Sequence, residues 1–184
     1  MRTRISLTAG CALLLAGLVA APAHAEFYTT SDSADAKASL SDIRAMRAKH
    51  GQANLVVRVR FQELTRSSRA AVSIFIDTDQ SLKGPEYVLS SGLGDGTDYV
   101  LTEADGWRGS DQRVDCDYEA RPWWGIKDAF RVRISRECLG EPDTVRVSVK
   151  MVDQADGSHP VVDWSPERRR WSLPIASGLG ARAA

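Results

Sequence analysis

An all-β antiparallel sandwich, jelly-roll-like and built from about eight or nine strands, is the fold this sequence predicts. Three observations predict it. One apolar and one mostly polar face alternate at a period of two in successive runs, as where Leu55, Val57, Val59 and Phe61 interleave with Val56, Arg58, Arg60 and Gln62. Turn chemistry punctuates these runs at about eight to twelve residues: Lys83-Gly84-Pro85, Gly92-Leu93-Gly94-Asp95-Gly96, Ala104-Asp105-Gly106, Gly140-Glu141-Pro142-Asp143 and Ala155-Asp156-Gly157. The 184 residues are 43% hydrophobic and 26% charged, with 24 basic side chains against 24 acidic ones, which excludes a collagen, a polyelectrolyte tail or a disordered linker.

The chain opens with Arg2 and Arg4, an apolar stretch through Leu13 to Ala20, and small residues at Ala23 and Ala25. That order is expected of a secretory signal peptide over residues 1–25, too short in its apolar part for the roughly 20 residues of a spanning helix. The reading predicts a secreted, extracellular protein with no membrane partner after cleavage. Removing the leader takes Arg2 and Arg4 with it and leaves 159 residues at a net charge of −2, which predicts no nucleic-acid partner. A chain of this size suits one core and one domain.

Residues 26–41, rich in Ser, Thr, Ala and Asp, are expected as an extended lead-in to a domain at 42–175. Within it, residues 44–49 fit either a helix, through Leu40, Ile43 and Met46, or a strand; the hairpin that Gly51 to Asn54 would then form favours the strand. Further strands are predicted at 55–62, 71–77, 87–91, 98–102, 113–119, 129–135, 144–152 and 170–175. Their inner faces draw on Val57, Val59, Phe61, Ile74, Ile76, Val132, Ile134, Val145, Val147 and Val149. The small residues of 176–184 read as a flexible tail.

Only Cys116 and Cys138 follow the leader, and an even number in an exported chain predicts a disulfide between them, stabilising by about 3 kcal/mol; two buried free thiols are the alternative. Asp77 and Asp79 at a strand end, with Asp95 and Asp98 in the next Gly-rich loop, are candidate ligands for a structural calcium, the only cofactor the chain suggests. Such aspartates also cap turns by accepting backbone N–H bonds. Trp123 and Trp124, adjacent between Pro122 and Gly125, would point to opposite sides of an extended segment, so that one stacks on a ligand while the other packs; alternatively both cap the open end of the sandwich with their N–H groups bonded to loop carbonyls. Glu167-Arg168-Arg169-Arg170-Trp171 is either a polyanion contact or a solvated face.

The segments Ile74-Phe75-Ile76-Asp77-Thr78-Asp79, Gly84-Pro85-Glu86-Tyr87 and Asp98-Tyr99 resemble the middle of β-sandwich modules of the family-9 carbohydrate-binding and DOMON type. The resemblance implies a sugar held between aromatic faces. In haem-binding members Met and His serve as axial ligands; Met46, Met151, His50 and His159 offer no residue-level match to them. Asp98-Tyr99, Gly106-Trp107, Arg131-Val132-Arg133-Ile134, Cys138-Leu139-Gly140 and Asp163-Trp164 are similar to small secreted bacterial proteins of uncharacterised role.

No G-x-S-x-G elbow, H-E-x-x-H pattern or other catalytic signature is present, so no catalytic residue is assigned. The expected function is a secreted, non-catalytic binding module for a polysaccharide or cell-wall glycan, with Trp123 and Trp124 as candidate ligand-binding residues. A small secreted hydrolase and an extracellular protein-interaction domain are the alternatives.

Overall fold

Alternating sequence becomes two antiparallel sheets in the computed structural model, which describes residues 26–154 and 159–178. The leader at 1–25, the turn at 155–157 and residues 179–184 of the tail lie outside the described residues. One sheet has five strands in the order β1 (Phe27–Ser31), β2 (Ile43–His50), β3 (Asn54–Phe61), β9 (Ala129–Ser135) and β8 (Tyr118–Trp123). The other runs β11 (Val161–Ser165), β10 (Thr144–Asp153), β4 (Ala71–Asp77), β5 (Tyr87–Gly92), β6 (Tyr99–Ala104) and β7 (Gly109–Arg113), with β12 (Ile175–Ala176) pairing at one end of β10.

The sheets face each other across one apolar core, which contains all ten inner-face residues expected from the sequence. Met46, Leu55, Leu89 and Leu101 complete it from neighbouring strands, each fully buried. Residues 44–49 are strand, not helix, because β2 pairs on both sides: Arg47 stands opposite Thr29 of β1 and Arg58 of β3.

Among the described residues twelve strands stand against the eight or nine expected, and the differences have local causes. The lead-in carries β1, whose Phe-Tyr-Thr-Thr-Ser has too little apolar alternation to announce itself. The run expected at 113–119 is two strands in different sheets, since the chain crosses between layers from Arg113 of β7 to Tyr118 of β8. Cys116 sits in that crossing, bonded to Cys138 in the short 3-10 turn Arg136–Leu139 after β9. In β11 the inward residues Asp163 and Ser165 are polar, so the alternation is inverted. The strand expected at 170–175 shrinks to β12, because Ser172 instead donates its N–H to the Val147 carbonyl at 2.9 Å while its hydroxyl accepts the Val147 N–H at 2.9 Å.

Candidate functional site

The two adjacent tryptophans separate as an extended segment requires. Trp123 ends β8 opposite Ala129 of β9, and the chain then turns through Gly125 and Asp128, both with positive φ. Asp128 fastens the turn: its carboxylate accepts the Leu64 N–H at 2.9 Å and its carbonyl accepts the Phe61 N–H at 2.8 Å. Trp124 faces inward, packs on the core and donates its Nε1–H to the Leu93 carbonyl at 2.9 Å. The Arg66 guanidinium covers its outer side, 4.6 Å from the ring centre, and is itself held by Asp95 at 2.8 Å.

Trp123 faces the other way, onto the outer surface of the five-stranded sheet. Three cations surround its half-buried ring: Lys127 Nζ at 5.3 Å, Arg58 at 5.8 Å and Arg121 at 5.9 Å from the ring centre. Cations over an indole face are attracted by its quadrupole, by about 0.5–1 kcal/mol each where exposed. The strand register extends this surface, for Arg47 pairs with Arg58, Arg58 with Arg131 and Arg131 with Arg121 across four neighbouring strands. Arg60 lies two residues along β3 from Arg58, and therefore on the same face. A groove of about 420 Å³ opens here, lined by Thr29, Arg47, Arg58, Arg60, Ile126 and Lys127 among others.

The four calcium candidates do not converge. In the β4–β5 hairpin Ile76 pairs with Tyr87 and Ala71 with Gly92, so Asp77 and Asp79 lie at one end and Asp95 and Asp98 beyond the other, about 17 Å away at the rise of a strand. Each pair has its own explanation. Asp77 is buried and paired with Arg146 of β10, and Asp79 accepts the N–H of Ser81 at 2.9 Å as a turn cap. Asp95 holds Arg66 over Trp124, and Asp98 is exposed. The calcium set is therefore corrected to one buried ion pair, one turn cap, one loop clamp and one exposed carboxylate.

A different acidic group, not foreseen from spacing, joins Asp35, Asp42 and Asp163, whose carboxylate oxygens lie within 4.8 Å of one another. It borders a groove of about 810 Å³ between the β1–β2 connection and β11. Its buried members are occupied by the fold: Asp163 accepts the N–H groups of Ile43 at 2.7 Å and Trp164 at 2.6 Å, and Asp42 accepts that of Ala36 at 3.0 Å and a bond from Arg44 at 3.0 Å. The group thus fastens the connection before β2 against β11.

Burial pushes the Asp163 carboxyl up to about 6, against the pull of its two N–H donors and with the help of nearby Asp32 and Asp35. An unfolded aspartate titrates near 3.9, so between about pH 4 and 6 the folded state holds the extra proton and its stability falls as pH rises. Asp163→Asn removes this dependence. Its stability relative to the parent should rise by up to about 3 kcal/mol between pH 4 and pH 7, as read from urea unfolding at each pH. A pH-independent difference would show that burial does not shift this carboxyl.

The other three tryptophans form a cluster on the outer face of the seven-stranded sheet. Trp164 stacks on Phe75 at 5.5 Å, Trp107 meets Phe75 edge-on at 5.2 Å, and Trp107 stacks on Trp171 at 4.6 Å. Trp171 thereby belongs to a packed cluster while Arg168 to Arg170 stay exposed. His50 is fully buried on β2, its Nδ1 3.1 Å from the Ile175 carbonyl, and burial lowers its pKa.

Fold and surface define the class as a two-sheet antiparallel β-sandwich with a cationic, tryptophan-bearing sheet face. The chain matches no protein-family model, no curated protein and no solved structure.

Proposed function

We propose that this protein is a secreted, non-catalytic binding module that holds a polysaccharide on the outer face of its five-stranded sheet. The observation that carries the reading is Trp123: a half-buried indole on an open sheet face, ringed by Arg58, Arg121 and Lys127, outside the core cluster and with no hydrogen bond among the described residues. Sugar rings present C–H faces that an indole can cover, and neighbouring guanidinium groups donate to sugar oxygens in a fixed fork. Trp124 gives the contrast, being committed to the Leu93 carbonyl and to Arg66.

The acidic groove supplies the one observation that favours the alternative of a hydrolase, since Asp163 is shifted toward the range of a general acid. Against it, Asp163 is only 4% exposed and both its oxygens accept backbone N–H groups, which supports a structural role.

Depletion of the protein from solution by insoluble polysaccharides and cell-wall preparations tests the reading. Trp123→Ala should abolish depletion and cost about 1.5–3 kcal/mol of stability, from three exposed cation contacts at about 0.5–1 kcal/mol each, with the fold retained. Trp124→Ala should cost about 2 kcal/mol, through the lost Leu93 bond and core contact. Undiminished depletion with Trp123→Ala would remove the proposed site.

A further inference from the structure

Resting on the glycan reading above, we propose that the ligand is an acidic polysaccharide, whose carboxylate or sulfate groups sit along the cross-strand row Arg47, Arg58, Arg131 and Arg121. Four guanidinium groups directly opposite one another on adjacent strands is a costly arrangement, because like charges facing across a sheet destabilise it. None of the four has an ion pair or a hydrogen-bonding side-chain partner among the described residues, and neither does Arg60 beside them. Aromatic rings are the contacts they do make: Arg47 over Phe27, and Arg58 and Arg121 over Trp123.

The contrast with other arginines of this chain is informative. Arg66, Arg108, Arg133 and Arg146 each have a carboxylate within 2.9 Å. One carboxylate, Glu119, shares this face two residues along β8 from Arg121, but it stands opposite Arg133 and forms no ion pair with the row, so four guanidinium charges are left for something outside the chain to neutralise.

Geometry narrows the partner. Strands stand about 4.8 Å apart, so the row spans about 14 Å, and each charge lies within a Debye length of about 8 Å from the next at physiological salt. The row therefore acts as one field and favours an extended polymer with repeated anions over a single small anion. Arginine forks match planar or multi-oxygen anions in paired bonds. The groove beside Arg47, Arg58 and Arg60 has Ile126 on its rim, fully exposed, and Trp123 bounds the row, so apolar sugar faces have a surface next to the charges. A net charge near zero conceals all this, because several acidic groups are gathered elsewhere, Asp32, Asp35 and Asp163 among them.

Titration of the purified protein with polygalacturonate and with dextran sulfate tests the inference, with neutral dextran and duplex DNA as comparators, at 50 and 200 mM salt. Binding to an acidic glycan is expected, weakening at least tenfold at the higher salt. Arg47→Ala with Arg131→Ala, which leaves the three cations over the Trp123 ring in place, should weaken it at least about tenfold further while the urea midpoint holds or rises, as repulsion is relieved. Affinity unchanged in this double variant overturns the arginine row as the site. Neutral dextran bound as tightly as the acidic glycans overturns the anionic assignment and leaves the glycan reading standing. Failure of every glycan overturns both, and DNA bound more tightly than either acidic glycan reassigns the face to nucleic acid.

Discussion

Phe75→Ala is expected to lower the free energy of unfolding by about 4 kcal/mol, within the 3–5 kcal/mol range of buried Phe truncations. Phe75 is 1% exposed although it points away from the main core, because its neighbours Ile74 and Ile76 take the inner face of β4. Its burial comes from Trp164 lying nearly parallel over it, at 13° between planes, and Trp107 meeting it at 65°. Trp107 in turn stacks on Trp171, which the last connection before β12 brings across the sheet. Removing the phenyl ring takes the floor from under Trp164 and Trp107, and through Trp107 loosens Trp171. Urea unfolding with near-ultraviolet circular dichroism measures the effect; a loss below about 1 kcal/mol, with the indole signal kept, would mean that the cluster collapses into the gap and stands free of Phe75.

Arg146→Met should cost about 3 kcal/mol at pH 8. Asp77 is fully buried at the end of β4, and its Oδ2 accepts the Arg146 Nε–H at 2.6 Å and a second bond from the same guanidinium. Removing one partner of a buried pair strands the other charge, which costs about 3–5 kcal/mol. Burial already raises the Asp77 pKa, and Arg146 is what restrains it. Without the guanidinium the folded-state value climbs further above the unfolded one, so the variant should regain stability as pH falls toward about 4. Asp77→Asn in the Arg146→Met background should recover most of the loss at pH 8. A deficit independent of pH and of Asp77 would trace instead to the Arg146 side chain lying over Trp171, 5.5 Å from its ring centre.

Legibility from sequence followed the physics of each element. The central strands were plain because an apolar residue recurs at every second position of one face: Val57 and Val59 of β3, Ile74 and Ile76 of β4, and Val145, Val147 and Val149 of β10, with Phe75 the apolar exception on the opposite face of β4. Edge and boundary strands were not, because pairing with a neighbour, not burial, makes them strands. β1 is held by its register with β2, and β11 carries Asp163 and Ser165 inward where a hydrophobic pattern would want apolar residues. The calcium assignment failed for a related reason. Proximity in sequence put Asp77, Asp79, Asp95 and Asp98 together, whereas an antiparallel hairpin sends its two ends apart and returns Asp42 and Asp163 to each other from across the chain.

Alternation, turn residues and two cysteines were sufficient for the all-β class, the inner faces and the pairing of Cys116 with Cys138, because period and loop chemistry are local properties. Trp123 and Trp124 were visible as a pair, and their opposite directions follow from the two-residue repeat of an extended chain. Which of them packs, and what surrounds the other, depended on assembly. Arg47, Arg58, Arg121 and Arg131 are scattered over 85 positions of sequence with unremarkable spacing, and no local pattern marks them as a unit. They become a row through strand order and register, which are long-range properties: β2, β3, β9 and β8 must lie side by side before four isolated charges share one field.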